Sequence, residues 1–399
     1  MRGIKFYNAI AYVLLLLYAV NFKWYSDYLF IGIIIFGYLT IDKEYYFVTD
    51  KTGLAIIFAF STYFLIMLIN GQLVNIRHDF MVFLIMPIFG YLLSNRLRCK
   101  EITGCEEELN RVVVGVVLMN GLYGALNYFA RLQKFTATTW ADRYSVDIWT
   151  GLPVAPTNQG ANFTLAVSLV FWAILIFRNK KILGISIMTL SVVGLQCGFD
   201  TASRTIILIF AIVLSVNIIL YIKLENVNKK IKTVFVVLLA VLLLYLAYVY
   251  DFANIRTTLL DSNLFQRMDQ LEYEGYQEGR FIRWKIIFEQ APMYLMGNMP
   301  PIEWHAHNLW LDIYKDAGIF PFTGLFLYTV SVIIDLFKVI KIGSIDTKMK
   351  LMLISVVLGL IINFMVEPVL NAIPMIFCEF IIITGYIHVY INRLEEEMI

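Results

Sequence analysis

The chain is 399 residues long, 60% hydrophobic and only 16% charged, with a mean hydropathy of +0.73. Those values lie outside the range of soluble globular chains, and a net charge of only +2 leaves no electrostatic footprint for nucleic acid. The chain reads as all-α: a polytopic helical membrane protein forming one integral domain over residues 1–399.

In chain order, the first apolar run (7–22) has no small-x-small cleavage site before Lys23, and further runs follow at once, so it reads as a retained span. Twelve runs approach the thickness of a bilayer: 7–22, 28–41, 52–69, 79–95, 112–130, 159–177, 182–199, 205–222, 233–250, 317–337, 351–366 and 371–391. The second is the shortest. An inner N-terminus puts 20 of the 32 Lys and Arg in seven inner segments, among them RNKK at 178–181 and KLENVNKKIK at 223–232. That asymmetry makes both termini cytoplasmic. The outer face then carries loops 131–158 and 251–316 and two polar corners, 199–205 and 367–372. Cys99 and Cys105 share a charged loop without a second ligand pair, and Cys197 and Cys378 sit in apolar runs, so neither a zinc site nor a disulfide framework is expected. There is no Gly-rich phosphate loop, no G-x-S-x-G and no internal repeat. An activated substrate would therefore arrive through the lipid or the outer compartment.

Five arginines, Arg204, Arg256, Arg267, Arg280 and Arg283, fall on the outer side against the positive-inside bias. For Arg256 and Arg267, a long loop that translocates regardless of charge explains the placement equally well. The interval 279–318 gathers the rest of the polar chemistry. Its pattern predicts a helix from Gly279 to Gln290, stopped before Pro292, then a turn-rich link and a second helix from about His307. Arg280 and Arg283 share a helix face and either clamp a diphosphate or snorkel at the interface. Phe281, Ile282, Trp284, Ile286, Ile287 and Phe288 make that helix apolar nearly all round, so it is expected to pack on the bundle. Arg204, in TASRT before an apolar span, is placed for anion binding at a helix start or simply flanks it.

His305 and His307 lie beside Trp304 and Trp310. They supply a general base for a sugar hydroxyl or face solvent idly; a metal site with Glu303 is the remote reading. Glu379 stands near the middle of the last run, where an intramembrane carboxylate is a functional hypothesis, with Asn120 or Asn127 as hydrogen-bond partners otherwise. Glu367 is placed to pair with an arginine of the clamp.

Taken together, the ordered set Ala202-Ser203-Arg204-Thr205, Gly279-Arg280 with Arg283 and Trp284, Pro292 with Gly297, and His307-Asn308 with Gly318 resembles the O-antigen polymerase and O-antigen ligase superfamily of bacterial inner membranes. The similarity covers 199–325; Gly318-Ile-Phe-Pro321 departs from the ligase pattern. The resemblance implies a metal-independent, cofactor-free glycosyltransferase acting on the periplasmic face, with its active site in loop 251–316. It uses an undecaprenyl-diphosphate-linked oligosaccharide, with membrane lipid and a chain-length regulator as partners. Arg204, Arg280 and His307 would carry catalysis; Arg283, Trp284, Asn308, His305 and Trp304 would hold diphosphate and glycan. Polymerisation of lipopolysaccharide O-antigen is the first reading and ligation to lipid A-core the second. A twelve-span transporter or flippase is the reading from another class.

Overall fold

The computed structural model describes residues 2–134, 143–266, 279–300 and 305–397. They are overwhelmingly helical; the one described β element is a two-residue hairpin ladder, Ser145–Val146 against Pro153–Val154. Nine helices among the described residues are long and apolar enough to cross a membrane: Lys51–Ile69, Ile76–Cys99, Ile102–Leu132, Pro156–Ile176, Lys181–Asp200, Arg204–Leu224, Ile319–Lys341, Thr347–Val366 and Pro374–Glu397. This is the make-up of a multi-pass helical membrane protein. The three other expected runs form helices Arg2–Ala19, Ser26–Tyr38 and Val227–Val249. At about 1.5 Å per residue, the 13 residues of Ser26–Tyr38 fall short of a hydrocarbon core of about 30 Å, whereas the 23 residues of Val227–Val249 reach it by length.

The described chain forms two compact units, Met1–Met119 with Gln277–Gly343 and Phe364–Ile399, and Asn120–Tyr276 with Ser344–Asn363. In the first, helix Ile319–Lys341 lies along Lys51–Ile69. Gly324 permits that approach, because a Cβ there would meet the Ala59 backbone at 2.8 Å. Thr52 and Ser331 hydrogen-bond across the same crossing at 2.5 Å. A polar chain, buried at Asp335 and His388 and partly exposed at Asp50, ties a third helix, Pro374–Glu397, to this pair. His388 Nδ1 lies 2.6 Å from Asp335 Oδ2, and its Nε2 lies 2.8 Å from Asp50 Oδ2. A ring carrying a proton on each nitrogen satisfies both carboxylates. Tyr91 donates to the other Asp50 oxygen at 3.0 Å.

The second unit packs Ala125, Tyr128, Phe163, Val167, Cys197, Ile206, Ile209, Val213 and Ile362 into one apolar cluster. Side-chain polar bonds join its helices, as they do where lipid supplies no hydrophobic drive: Asn217 to Ser355 at 2.7 Å and Asn363 to Thr164 at 3.2 Å.

Candidate functional site

The interval 279–318 builds a small core of its own within the first unit. Helix Gly279–Gln290 ends where expected, and a 3₁₀ turn, Ala291–Met293, carries Pro292. Helix Leu309–Ala317 follows, two residues later than His307, because Asn308 is its N-cap and accepts from Leu311 N at 3.1 Å. Ile287, Met299, Ala306, Leu311 and Tyr314 form the buried centre, with Trp284 against them. Only that face of the first helix is packed. Phe281, Ile282 and Phe288 on the other face are exposed; an apolar face left open suits lipid contact.

Gly318 ends the second helix at φ 79°, ψ −158°, a region open essentially to glycine alone. A Cβ there would collide with the Leu295 carbonyl, and Ile319 N donates to that same oxygen at 2.9 Å. The Gly297 end of the link thereby becomes a strap on the helix C-terminus, with Asn298 N donating to Asp316 O at 3.0 Å.

The turn 305–308 is held from both sides. Arg283 Nη1 donates to His305 O and Trp284 Nε1 to Ala306 O, each at 2.8 Å. From below, the Asp312 carboxylate accepts from Ala306 N at 2.6 Å and from Asn308 N at 3.3 Å. Between those two amides, His307 adopts φ 56°, a left-handed conformation that costs an L-residue about 1–3 kcal/mol. Burial, more than the neighbouring Asp316, pushes the Asp312 carboxyl up to about 7 despite its backbone donors. Burial also holds His305 below the usual imidazole range.

This conformation carries the His307 ring toward Glu367, at the end of helix Thr347–Val366. Glu367 is 2% exposed, with Oε1 3.6 Å from Arg280 Nη2 and Oε2 3.8 Å from His307 Nδ1. The arginine expected beside Glu367 is therefore Arg280. At 3.8 Å the carboxylate stands beyond hydrogen-bond distance of Nδ1, so the contact is electrostatic; a closer approach would hold the proton on Nδ1 and leave Nε2 as the acceptor a general base needs. Asn308, expected on the glycan, holds the turn by its own contacts. It is buried, its oxygen caps the helix and its amide donates to Met365 O at 3.1 Å, so it fixes the turn. Trp304, Glu303 and Arg267 lie outside the described residues.

Arg204 stands in the second unit, at a corner with its own geometry. Ser203 N bonds to Gly198 O at 2.8 Å and Ala202 N to Phe199 O at 3.4 Å, the paired bonds of a Schellman stop, with Ala202 at φ 54° in place of the usual glycine. The stop turns the chain so that Arg204 opens the next helix. Arg143 donates to Thr201 O at 3.0 Å, and burial followed by the like charge of Arg204 holds its guanidinium below the ordinary value. Arg131 lies 4.0 Å from Asp200. Neither arginine was singled out by sequence. Arg143 carries the same signal as the others, a positive charge in an outer loop. Asp312 had a signal too, an acidic residue in the first turn after an Asn cap.

Glu379 is fully buried in helix Pro374–Glu397. Asn127 accepts from Ile148 N at 3.0 Å. All four cysteines are free thiols, and among the described residues no three His, Cys, Asp or Glu side chains are grouped to hold a metal. No protein family matches the chain, and no curated protein matches it.

Proposed function

We propose that the chain is a bacterial inner-membrane glycosyltransferase that joins undecaprenyl-diphosphate-linked oligosaccharide units on the periplasmic face, as an O-antigen polymerase does. The observation that carries the reading is the buried Glu367 carboxylate shared by Arg280 and a braced His307. In this scheme His307 Nε2 takes the proton of the acceptor hydroxyl. The hydroxyl oxygen bonds to the anomeric carbon, the bond from that carbon to the diphosphate breaks, and undecaprenyl diphosphate leaves with the electron pair. Negative charge grows on the leaving group, so a fixed guanidinium at Arg280 stabilises the transition state more than the ground state. Arg283 chiefly holds the turn. The part given to Arg204 rests on its sequence motif.

The topology that accompanies this reading has twelve spans and both termini cytoplasmic. It follows from the basic inner segments and from the polar interval 251–316 lying outside.

The test is deletion in the native host, followed by gel analysis of the lipopolysaccharide and complementation with the intact protein, Arg280→Ala and His307→Ala. Core bearing a single unit identifies a polymerase; bare core with accumulated lipid-linked polymer identifies a ligase. Full complementation by both variants would overturn the catalytic assignment.

One observation favours a second reading, a proton-coupled transporter: the chain Asp50–His388–Asp335 joins buried Asp335 and His388, on spanning helices, to the partly exposed N-cap Asp50. In that case His388→Ala would abolish activity while Arg280→Ala and His307→Ala would not.

A further inference from the structure

The second unit has a basic corner, from which the glycosyl-transfer scheme takes Arg204 alone. Three arginines gather at residues 200–204. Arg131, buried near the end of helix Ile102–Lys134, lies 4.0 Å from the Asp200 carboxylate. Arg143, just ahead of strand Ser145–Val146, donates from Nε to Thr201 O at 3.0 Å. Arg204 opens helix Arg204–Leu224.

The corner is held from several sides. Asp200 Oδ2 accepts from Tyr128 and Oδ1 from Gln196 Nε2 at 3.0 Å, while Asn263 Nδ2 donates to Asp200 O at 2.7 Å. Thr201 N and Oγ1 both donate to Cys197 O, at 2.9 and 2.7 Å. These contacts over-determine the left-handed Ala202 and fix the backbone that carries Arg204. The hairpin after Arg143 is pinned as firmly: Asp147 accepts from the Tyr123 hydroxyl and from Trp149 N and Thr150 N, and Asn127 Oδ1 takes Ile148 N. Arg143 and Arg204 therefore both stand on preorganised backbone.

As a mere clasp on the Thr201 carbonyl, Arg143 would be a poor choice. A neutral donor such as glutamine would make that bond without setting a second positive charge beside Arg204. The charge is costly: burial and then Arg204 hold the Arg143 guanidinium below its ordinary value. Asp200, the acid that the described residues place at this corner, already answers Arg131, Tyr128 and Gln196. Two guanidiniums of like sign are offset by an anion with oxygens for both, and the two phosphoryl groups of a diphosphate match two planar forks better than a single phosphate does. We propose that Arg143 is a substrate-binding residue which, with Arg204, holds the diphosphate of the lipid-linked donor. The identity of that ligand rests on the glycosyl-transfer reading.

The test uses the full chain purified in neutral detergent, with binding of undecaprenyl diphosphate and undecaprenyl phosphate read by native mass spectrometry and the thermal midpoint measured in parallel. The wild type should favour the diphosphate. Arg143→Gln should weaken diphosphate binding roughly tenfold, the loss of one hydrogen bond to a charged group, and leave monophosphate binding within about twofold, because Arg204 still serves it. Arg143→Lys, which replaces the fork by a point charge, should lose about threefold on the diphosphate and supplies the same readout if the glutamine variant does not fold. A role confined to bracing the corner would lower both lipids alike. An equal loss for the two lipids, no loss on the diphosphate in either variant, or a lysine variant that binds no better than the glutamine one overturns the proposal and leaves the proposed function standing. A wild type that binds neither lipid overturns both, since the glycosyl-transfer reading requires a lipid diphosphate.

Discussion

Asp312→Asn offers the sharpest trial of the braced turn. The carboxylate accepts from Ala306 N at 2.6 Å and Asn308 N at 3.3 Å, on either side of His307. Asparagine keeps one acceptor oxygen for the shorter bond and turns an NH₂ toward the other donor. A buried amide left unmet costs about 1–3 kcal/mol, comparable to the strain of left-handed His307. The competent turn should therefore become roughly 5–150-fold less populated. The assay is polymer formation by purified protein from a lipid-diphosphate-linked oligosaccharide, with the thermal midpoint measured in parallel. Because Asp312 is pushed up to about 7, the wild type approaches the variant as its carboxyl takes up a proton, so their activity ratio should grow from pH 6 to pH 8. Stability moves the other way. The folded carboxyl titrates near 7 and the unfolded one near 3.8, so between these values only the folded state holds the proton. Stability from this group is greatest below 3.8, falls as pH rises to about 7 and is constant above, and Asp312→Asn removes that slope. A folded variant with wild-type activity at pH 8 refutes the bracing argument.

Glu367→Gln keeps the shape between Arg280 and His307 but removes the charge, and should lower polymer formation by about 10–100-fold with protein abundance unchanged, a loss read on the same gel ladder. Gly318→Ala forces a Cβ onto the Leu295 carbonyl at a backbone angle alanine disfavours; a drop of at least about 1–3 kcal/mol should appear as a lower thermal midpoint in detergent. Asp335→Asn breaks the 2.6 Å contact to His388 in a buried setting and should destabilise by about 1–3 kcal/mol, seen in the same melt, with the glycan ladder intact if the fold survives.

What could be read from sequence and what could not divide along one physical line. In a chain with 16% charged residues, a polar side chain is conspicuous, so Arg204, Arg280, Arg283, His305, His307 and Glu367 stand out without any structure. Local chemistry was equally readable: Pro292 ends the helix begun at Gly279, and Gly318 closes the next. The braces were not. Left-handed backbone at Ala202 and His307 is invisible in residues that usually avoid it, because hydrogen bonds from outside the residue impose it. The bond from Arg283 to the His305 carbonyl gives that arginine a supporting contact that no spacing rule contains. Asp335 and His388 each look like an isolated polar residue in an apolar run, and only the packing of their helices makes them one chain. An apolar sequence thus advertises candidate residues and conceals the ones that position them, since positioning depends on partners brought close by the fold. His307 needs both kinds: its identity draws attention, but Asp312, Arg283 and Trp284 determine whether its ring reaches Glu367 at all.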